Sequence, residues 1–435
     1  MAMADAADVA HLLRRTEFVV KPARLAELVA VSRDAAVDNV LDTGLNGATS
    51  LPGNLTYHDA NNGWEQYVTA TNWWLQMMLD RPRPIQEKMT LFWHGHFTSA
   101  WSDIQRTDHM MHQNQLYRSQ ALGNFRTLTQ AMALEPAMLV YLNNADNRKG
   151  SPNQNFAREL MELFTLGVGN YTEDDVEAAA RAWTGHNADW PAYTYQFYAT
   201  RHDSGQKTFF GTTKNWNGPD IIDEILRDNA GKKLVAARYI TRKLWDFFAY
   251  PGGPSNVINA LADVFVANNL EIKPLMQALL KHPEFYSAAA KQGLVRTPAE
   301  YMVALRYATN VGFDVLGPTW MGERMGQQLF NPPNVAGWKH NAAWLNTSAL
   351  SARAYMARAV TWPIRNSGVF NHLDGLSTSA AVDAVTAYFG LTGLSTASRT
   401  ALVNALAAER AVPYNWWATT NLITMTMLVP EFHMA

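Results

Sequence analysis

The chain has 435 residues, 48% of them hydrophobic and 17% charged, with a formal net charge of −2 and no cysteine. A balance so near neutral, without basic runs, gives no footprint for a nucleic-acid backbone, an acidic tail or a polybasic membrane patch. Missing cysteine excludes disulfides, thiolate metal sites and a cysteine nucleophile, and no window approaches the roughly 18–20 apolar residues of a transmembrane segment.

The start, "MAMADAADVAHLLRRTEF", passes directly into an amphipathic helix without a basic-then-apolar leader, so no signal peptide is expected and the compartment stays open. From Pro84, Ile85, Met89, Phe92 and His96 follow helical spacing, and Met89, Trp93 and Phe97 make a parallel stripe. Within this run "LFWHGHFTSA" holds His94 and His96 on either side of Gly95. In a continuous helix the two rings point about 200° apart. A glycine stop at Gly95 would let them converge on a metal. Otherwise His94 serves the helix C-terminus and His96 packs.

"SPNQNFARELMELFTLG" (151–167) has Ser151 as N-cap, Pro152 in the first turn, Gln154 to close a capping box and Gly167 as stop. On this helix Phe156, Leu160, Leu163, Phe164 and Leu166 share a face, with Arg158 and Glu162 an i,i+4 pair opposite. Glu159 points into the apolar arc, where a carboxylate needs a partner or a function. "YTEDDVEAAARAWTG" (171–185) repeats the grammar with Thr172, Asp175 and Gly185, and places Glu177 and Arg181 at i,i+4. Its Val176, Ala179, Ala180 and Trp183 form a narrow packing stripe, and the two helices are expected to pack antiparallel.

"AYTYQFYATRHDSGQKTFFG" (192–211) alternates aromatic and polar residues and turns at Asp203-Ser204-Gly205, which predicts a β-hairpin or paired extended segments. Around that turn stand His202, Asp203 and Lys207. "YPGGPSN" (250–256) and "NPPNVAGW" (331–338) are tight loops, and "TPAEYMVALRYA" (297–308) opens another capped helix. Trp190, Trp216, Trp338 and Trp344 lie in or beside loops, where exposed rings would stack on sugar faces or else plug the loops onto the core. No repeat period appears. The expected architecture is mainly α: a single large helical domain over 1–435 with a small inserted β-hairpin and a soft boundary near 212–220.

There is no G-x-S-x-G elbow, Walker-type loop, H-E-x-x-H or strand-linked G-x-G-x-x-G. Taken together, "HLLRR" (11–15), "FWHGHF" (92–97), "ARELMELFTLGVGNYTEDDVEAAARAWTG" (157–185), "RHDSGQKTFFG" (201–211) and "FNPPNVAGW…WLNTSAL" (330–350) resemble a bacterial domain-of-unknown-function family, number 1800. The resemblance spans nearly the whole chain and implies one structural unit, often exported in its members. Carried over position by position, it marks His94, His96, Arg158, Glu159, Glu162, Thr172, Asp175, Arg181, His202, Asp203, Gly205 and Lys207. The chain departs from the pattern at "RRTEF", where a glycine-bearing turn is commoner, and at His186, where tryptophan is expected.

These readings combine into an expected hydrolase or lyase acting on an extracellular polymer such as a polysaccharide. His94, His96, His202 and Asp203 would hold a divalent metal or orient substrate. Glu159 and Glu162, with Asp175, would supply acid/base chemistry, Arg158 and Arg181 would neutralise developing charge, and Lys207, His186 and Trp183 would contact substrate. The rival expectation is a non-catalytic binding or assembly protein whose polar cluster is structural.

Overall fold

The computed structural model describes residues 3–189, 194–227, 231–291, 293–391 and 393–435. The chain is 63% helical, with two small antiparallel two-stranded sheets. Among the described residues no helix is long and apolar enough to cross a membrane.

Eight helices position the sites discussed below: α1 (Ala6–Glu17), α2 (Gly63–Asp80), α3 (Ile85–His96), α4 (Asn155–Glu159), α5 (Glu173–Ala182), α6 (Lys232–Phe248), α7 (Pro298–Thr309) and α8 (Thr347–Asn366). Local grammar accounts for several boundaries. Thr172 and Asp175 form a reciprocal capping box at α5, and Thr297 and Glu300 form one at α7 behind Pro298. Gly167 and Gly185 adopt φ of +81° and +82°, the left-handed stops expected of them.

The start of α4 differs from expectation. Ser151 bridges to Arg148 instead of capping a helix, and α4 begins only at Asn155. The Asn147 side chain accepts the Asn153 N–H at 2.9 Å and donates to Ala180 O at 2.8 Å. Those bonds hold 151–154 outside the helix. Beyond Glu159 the helix widens to π geometry over Leu160–Thr165, with Leu166 N–H reaching Met161 O at 2.8 Å. The extra residue per turn rotates everything after Glu159 away from the ideal α positions.

The β structure is two hairpins rather than one. β1 (His186–Asp189) pairs with β2 (Thr194–Phe197), His186 opposite Phe197, and β3 (Lys207–Phe209) pairs with β4 (Thr212–Lys214). The Asp203-Ser204-Gly205 turn leads into β3 instead of joining two strands of one hairpin. Residues 190–193, including Trp190, lie outside the described residues.

Apolar side chains gather in two large clusters and a small third one of Val295, Trp338 and Trp344. Of the large pair, one draws on α1, α3, the 121–183 segments and the helices up to Tyr286; the other draws on α2, α7, α8 and the C-terminal helices. Phe209, Trp216, Ile221 and Ile222 all enter the first, on either side of the exposed β4. Tyr141 and Phe247 touch both large clusters. Phe247 also lines the cavity described next.

Candidate functional site

Helix α3 carries its apolar stripes inward and continues through Gly95 to His96, so glycine does not stop it. The two imidazoles accordingly diverge. His94 is buried and accepts the Phe330 N–H at Nε2, 2.9 Å away, beneath the rings of Trp74 and Trp338. Phe330 has φ of +62°, and its carbonyl accepts the Trp101 N–H at 2.8 Å. Thr98 Oγ1 donates to Val335 O at 2.6 Å. Gly337, at φ +79°, sits where a Cβ would collide with the Gly95 carbonyl oxygen. The 330–338 loop is thus stitched to the end of α3, and His94 is one of the stitches. Burial brings His94 down to about 3, which keeps it the neutral acceptor this bond requires.

His96 faces the other way. Its Nε2 lies 3.0 Å from Phe164 O, and because a carbonyl can only accept, Nε2 carries the proton. Nδ1 is left as a buried acceptor with no partner. Burial, reinforced by the Lys243 charge, holds the ring well below the ordinary histidine range.

His96 lines a cavity of about 330 Å³ between α3, α6 and the loop segments 327–340. Phe92, Phe247 and Trp338 supply apolar walls; Lys243, Asp246 and His340 supply ionisable groups. Lys243 keeps part of its side-chain surface open, while its ammonium is crowded by neighbouring protein atoms. It lies 5.4 Å from the Tyr239 ring centroid and, among the described residues, forms no hydrogen bond or ion pair. Desolvation lowers its pKa to about 8. Burial pushes Asp246 upward, against the Gly252 N–H and Arg242. A neutral imidazole acceptor, an easily deprotonated amine and a carboxyl group therefore share one concave space, the pattern expected of a reactive pocket.

The residues singled out between 158 and 207 lie elsewhere, in two other groups. Arg158 does not pair with Glu162. It makes a two-pronged bridge to Glu173 at 2.8 and 2.7 Å, which ties α4 to the start of α5. Glu162 accepts a hydrogen bond from Tyr171 Oη. Glu159 is half-buried and, among the described residues, forms no hydrogen bond or ion pair. Burial, then the nearby Glu162 charge, raises its pKa. The other group is a closed network. Arg181 Nε donates to Asp203 at 2.7 Å instead of pairing with Glu177, and Asp203 also accepts the Gly205 N–H at 2.8 Å. The Lys207 ammonium is buried and donates to Gly205 O, Asn215 Oδ1 and Trp216 O at 2.9, 3.1 and 2.9 Å. Asp175 accepts from Thr172 and from the Phe210 N–H at 2.9 Å.

His202 Nδ1 bonds Thr184 O at 2.8 Å, and His186 is held between Tyr195 Oη at 2.9 Å and Asn217 Oδ1 at 2.7 Å. Trp183 is fully buried against Phe156 and His186. The proposed metal set of His94, His96, His202 and Asp203 does not assemble: no group of three or more His, Asp or Glu side chains suited to a metal occurs among the described residues. Trp216, Trp338 and Trp344 are buried and offer no open stacking face.

A family model described as a protein of unknown function, DUF1800, matches residues 11–434. The chain belongs to the DUF1800 family. No curated protein and no solved structure matches it. In this DUF1800 chain, "FWHGHF" and "NPPNVAGW" serve one purpose: they close the cavity from two sides. Lys243, Asp246 and His340 are the site residues sequence reasoning missed. The available signal was Tyr239, Lys243 and Phe247 at i, i+4 and i+8, a lysine set between two aromatic rings on one helix stripe.

Proposed function

We propose that the chain is an enzyme of hydrolase or lyase type whose chemistry takes place in the cavity between α3, α6 and the 327–340 segment, with Lys243 as the proton-transfer group. The unpartnered Lys243 amine carries the proposal. With its pKa near 8, about a tenth of it is neutral at pH 7 and able to accept a proton. In the lyase form, the amine takes a proton from the carbon beside a carbonyl or carboxylate, that C–H pair becomes the new double bond, and the leaving oxygen departs with its bonding pair and is protonated by water. In the hydrolase form, the amine takes a proton from water as its oxygen adds to the carbonyl carbon; the scissile C–O or C–N bond then breaks, and the leaving atom takes the bonding pair and receives that proton from the ammonium. His96 packs in the cavity wall, its Nδ1 buried and, among the described residues, without a partner.

The cavity suits a group of one sugar or amino-acid unit, so a polysaccharide would be handled at a chain end. The direct test offers acidic and neutral polysaccharides, their oligomers, and ester and amide substrates to wild type and Lys243→Met. New reducing ends or unsaturated products are expected from wild type alone, with both proteins melting alike. Product formation by Lys243→Met at the wild-type rate contradicts the proposal.

The saturated network of Arg181, Asp203 and Lys207 favours one second reading, a non-catalytic binding protein whose polar cluster is structural. That reading expects ligand uptake by wild type with no product.

A further inference from the structure

The "HLLRR" segment of α1 has no part in the cavity above. Its arginines enter a second region, where α1 meets the start of α7 and the C-terminal segment. Here Arg14, Arg15, Arg296, Arg353 and Lys88 lie within electrostatic reach of one another or of Glu300. Glu300 is committed: it pairs with Lys88 and accepts the Thr297 N–H at 2.7 Å. Its carboxyl is held below the usual range despite burial, because Lys88 and Arg15 outweigh desolvation, while burial lowers Lys88 in spite of Glu300. The two partners respond differently because the anion sees several cations and Lys88 sees one anion.

The guanidiniums are poorly satisfied. Arg15 is fully buried, donates from Nη2 to Ala290 O at 2.5 Å, and leaves Nε and Nη1 without partners. Arg353 Nε is also unpartnered. Arg296 gives Nη1 to Phe432 O at 3.1 Å. Arg14 forms no hydrogen bond or ion pair among the described residues, and its Nε is buried. Guanidinium does not deprotonate in proteins, so crowding of this kind is relieved by an anion and not by loss of a proton.

Arg14 and Arg296 both line a cavity of about 100 Å³, walled by Val19, Ala308, Phe389 and Phe432. Glu431 borders it, but its carboxylate accepts from Ser395 N and Ser398 Oγ, both at 2.9 Å. We propose that this cavity is an oxyanion site in which Arg14 and Arg296 grip the phosphate or carboxylate group of a small ligand. The planar donor fork of arginine matches both groups. The space holds the anionic group, and the rest of a larger ligand would lie outside it.

The test follows the melting temperature of the full chain in inorganic phosphate, acetate and chloride at one fixed ionic strength, with Arg14→Gln in parallel. A saturable rise in phosphate or in acetate, absent in chloride, is expected, and whichever anion acts identifies the ligand group. Arg14→Gln is expected to raise the half-saturating concentration about tenfold; Arg14 forms no hydrogen bond or ion pair among the described residues, so the variant is expected to melt like wild type in chloride. Identical melts in all three salts overturn the proposal, as does a wild-type response from Arg14→Gln.

Discussion

Two polar regions of this molecule look alike in sequence and differ in hydrogen bonding. In the 181–217 network, Arg181, Asp203 and Lys207 hydrogen-bond to protein partners, while Trp183 Nε1 is buried there without one among the described residues. In the α3–α6 cavity, among the described residues, His96 Nδ1 has no partner and the part-buried Lys243 amine forms no hydrogen bond or ion pair. Density of charged residues therefore does not by itself point to unpartnered ionisable groups. An unpartnered ionisable group beside a cavity is the sign on which the proposed function relies.

Variants can separate the two regions. Lys207→Met removes a buried cation from three oxygens at once and is expected to lower stability by about 2–4 kcal/mol in urea unfolding; a loss under 1 kcal/mol would break the contrast. Asp175→Ala dissolves the α5 capping box and frees the Phe210 N–H, with an expected cost of about 1–2 kcal/mol by the same assay. Arg158→Ala opens a bridge to an exposed Glu173 and should cost less than about 1 kcal/mol, vanishing in high salt.

Glu159→Gln has the smallest expected effect and the opposite sign. The folded pKa of Glu159 is raised, so its favourable contribution exists below the unfolded value and is lost as pH rises through the folded one. At pH 7 the glutamine variant should therefore match or exceed wild type by a few tenths of a kcal/mol, the scale of a like-charge helix pair. The gap should close near pH 4. Destabilisation at pH 7 would show that the ionised carboxylate has a partner.

How much was legible in sequence depends on the range of the interaction. The capping residues Thr172, Asp175, Thr297 and Glu300 act within four residues, so spacing alone placed them. The π segment after Glu159 was not legible, because its cause is tertiary: the Leu163 and Phe164 carbonyls are taken by Tyr239 Oη at 2.9 Å and His96 Nε2 at 3.0 Å. The pairing of Arg158 with Glu173, not Glu162, follows from the same packing. His94 and His96 stand out in sequence, but one secures a loop and the other borders a cavity, and H-x-H spacing cannot distinguish those ends. Lys243 was missed because an isolated helical lysine looks like a solvated charge until the loop carrying Trp338 closes over it. The family relation was legible across nearly the whole chain, yet it came without a function.

The most direct measurement is the protonation of the Lys243 amine in the intact protein, read from its rate of acylation against pH by peptide mass spectrometry. A midpoint near 8, well below that of the exposed lysines, is predicted. A midpoint above 10 would mean that the amine is solvated or paired, and the catalytic reading of the cavity would fall.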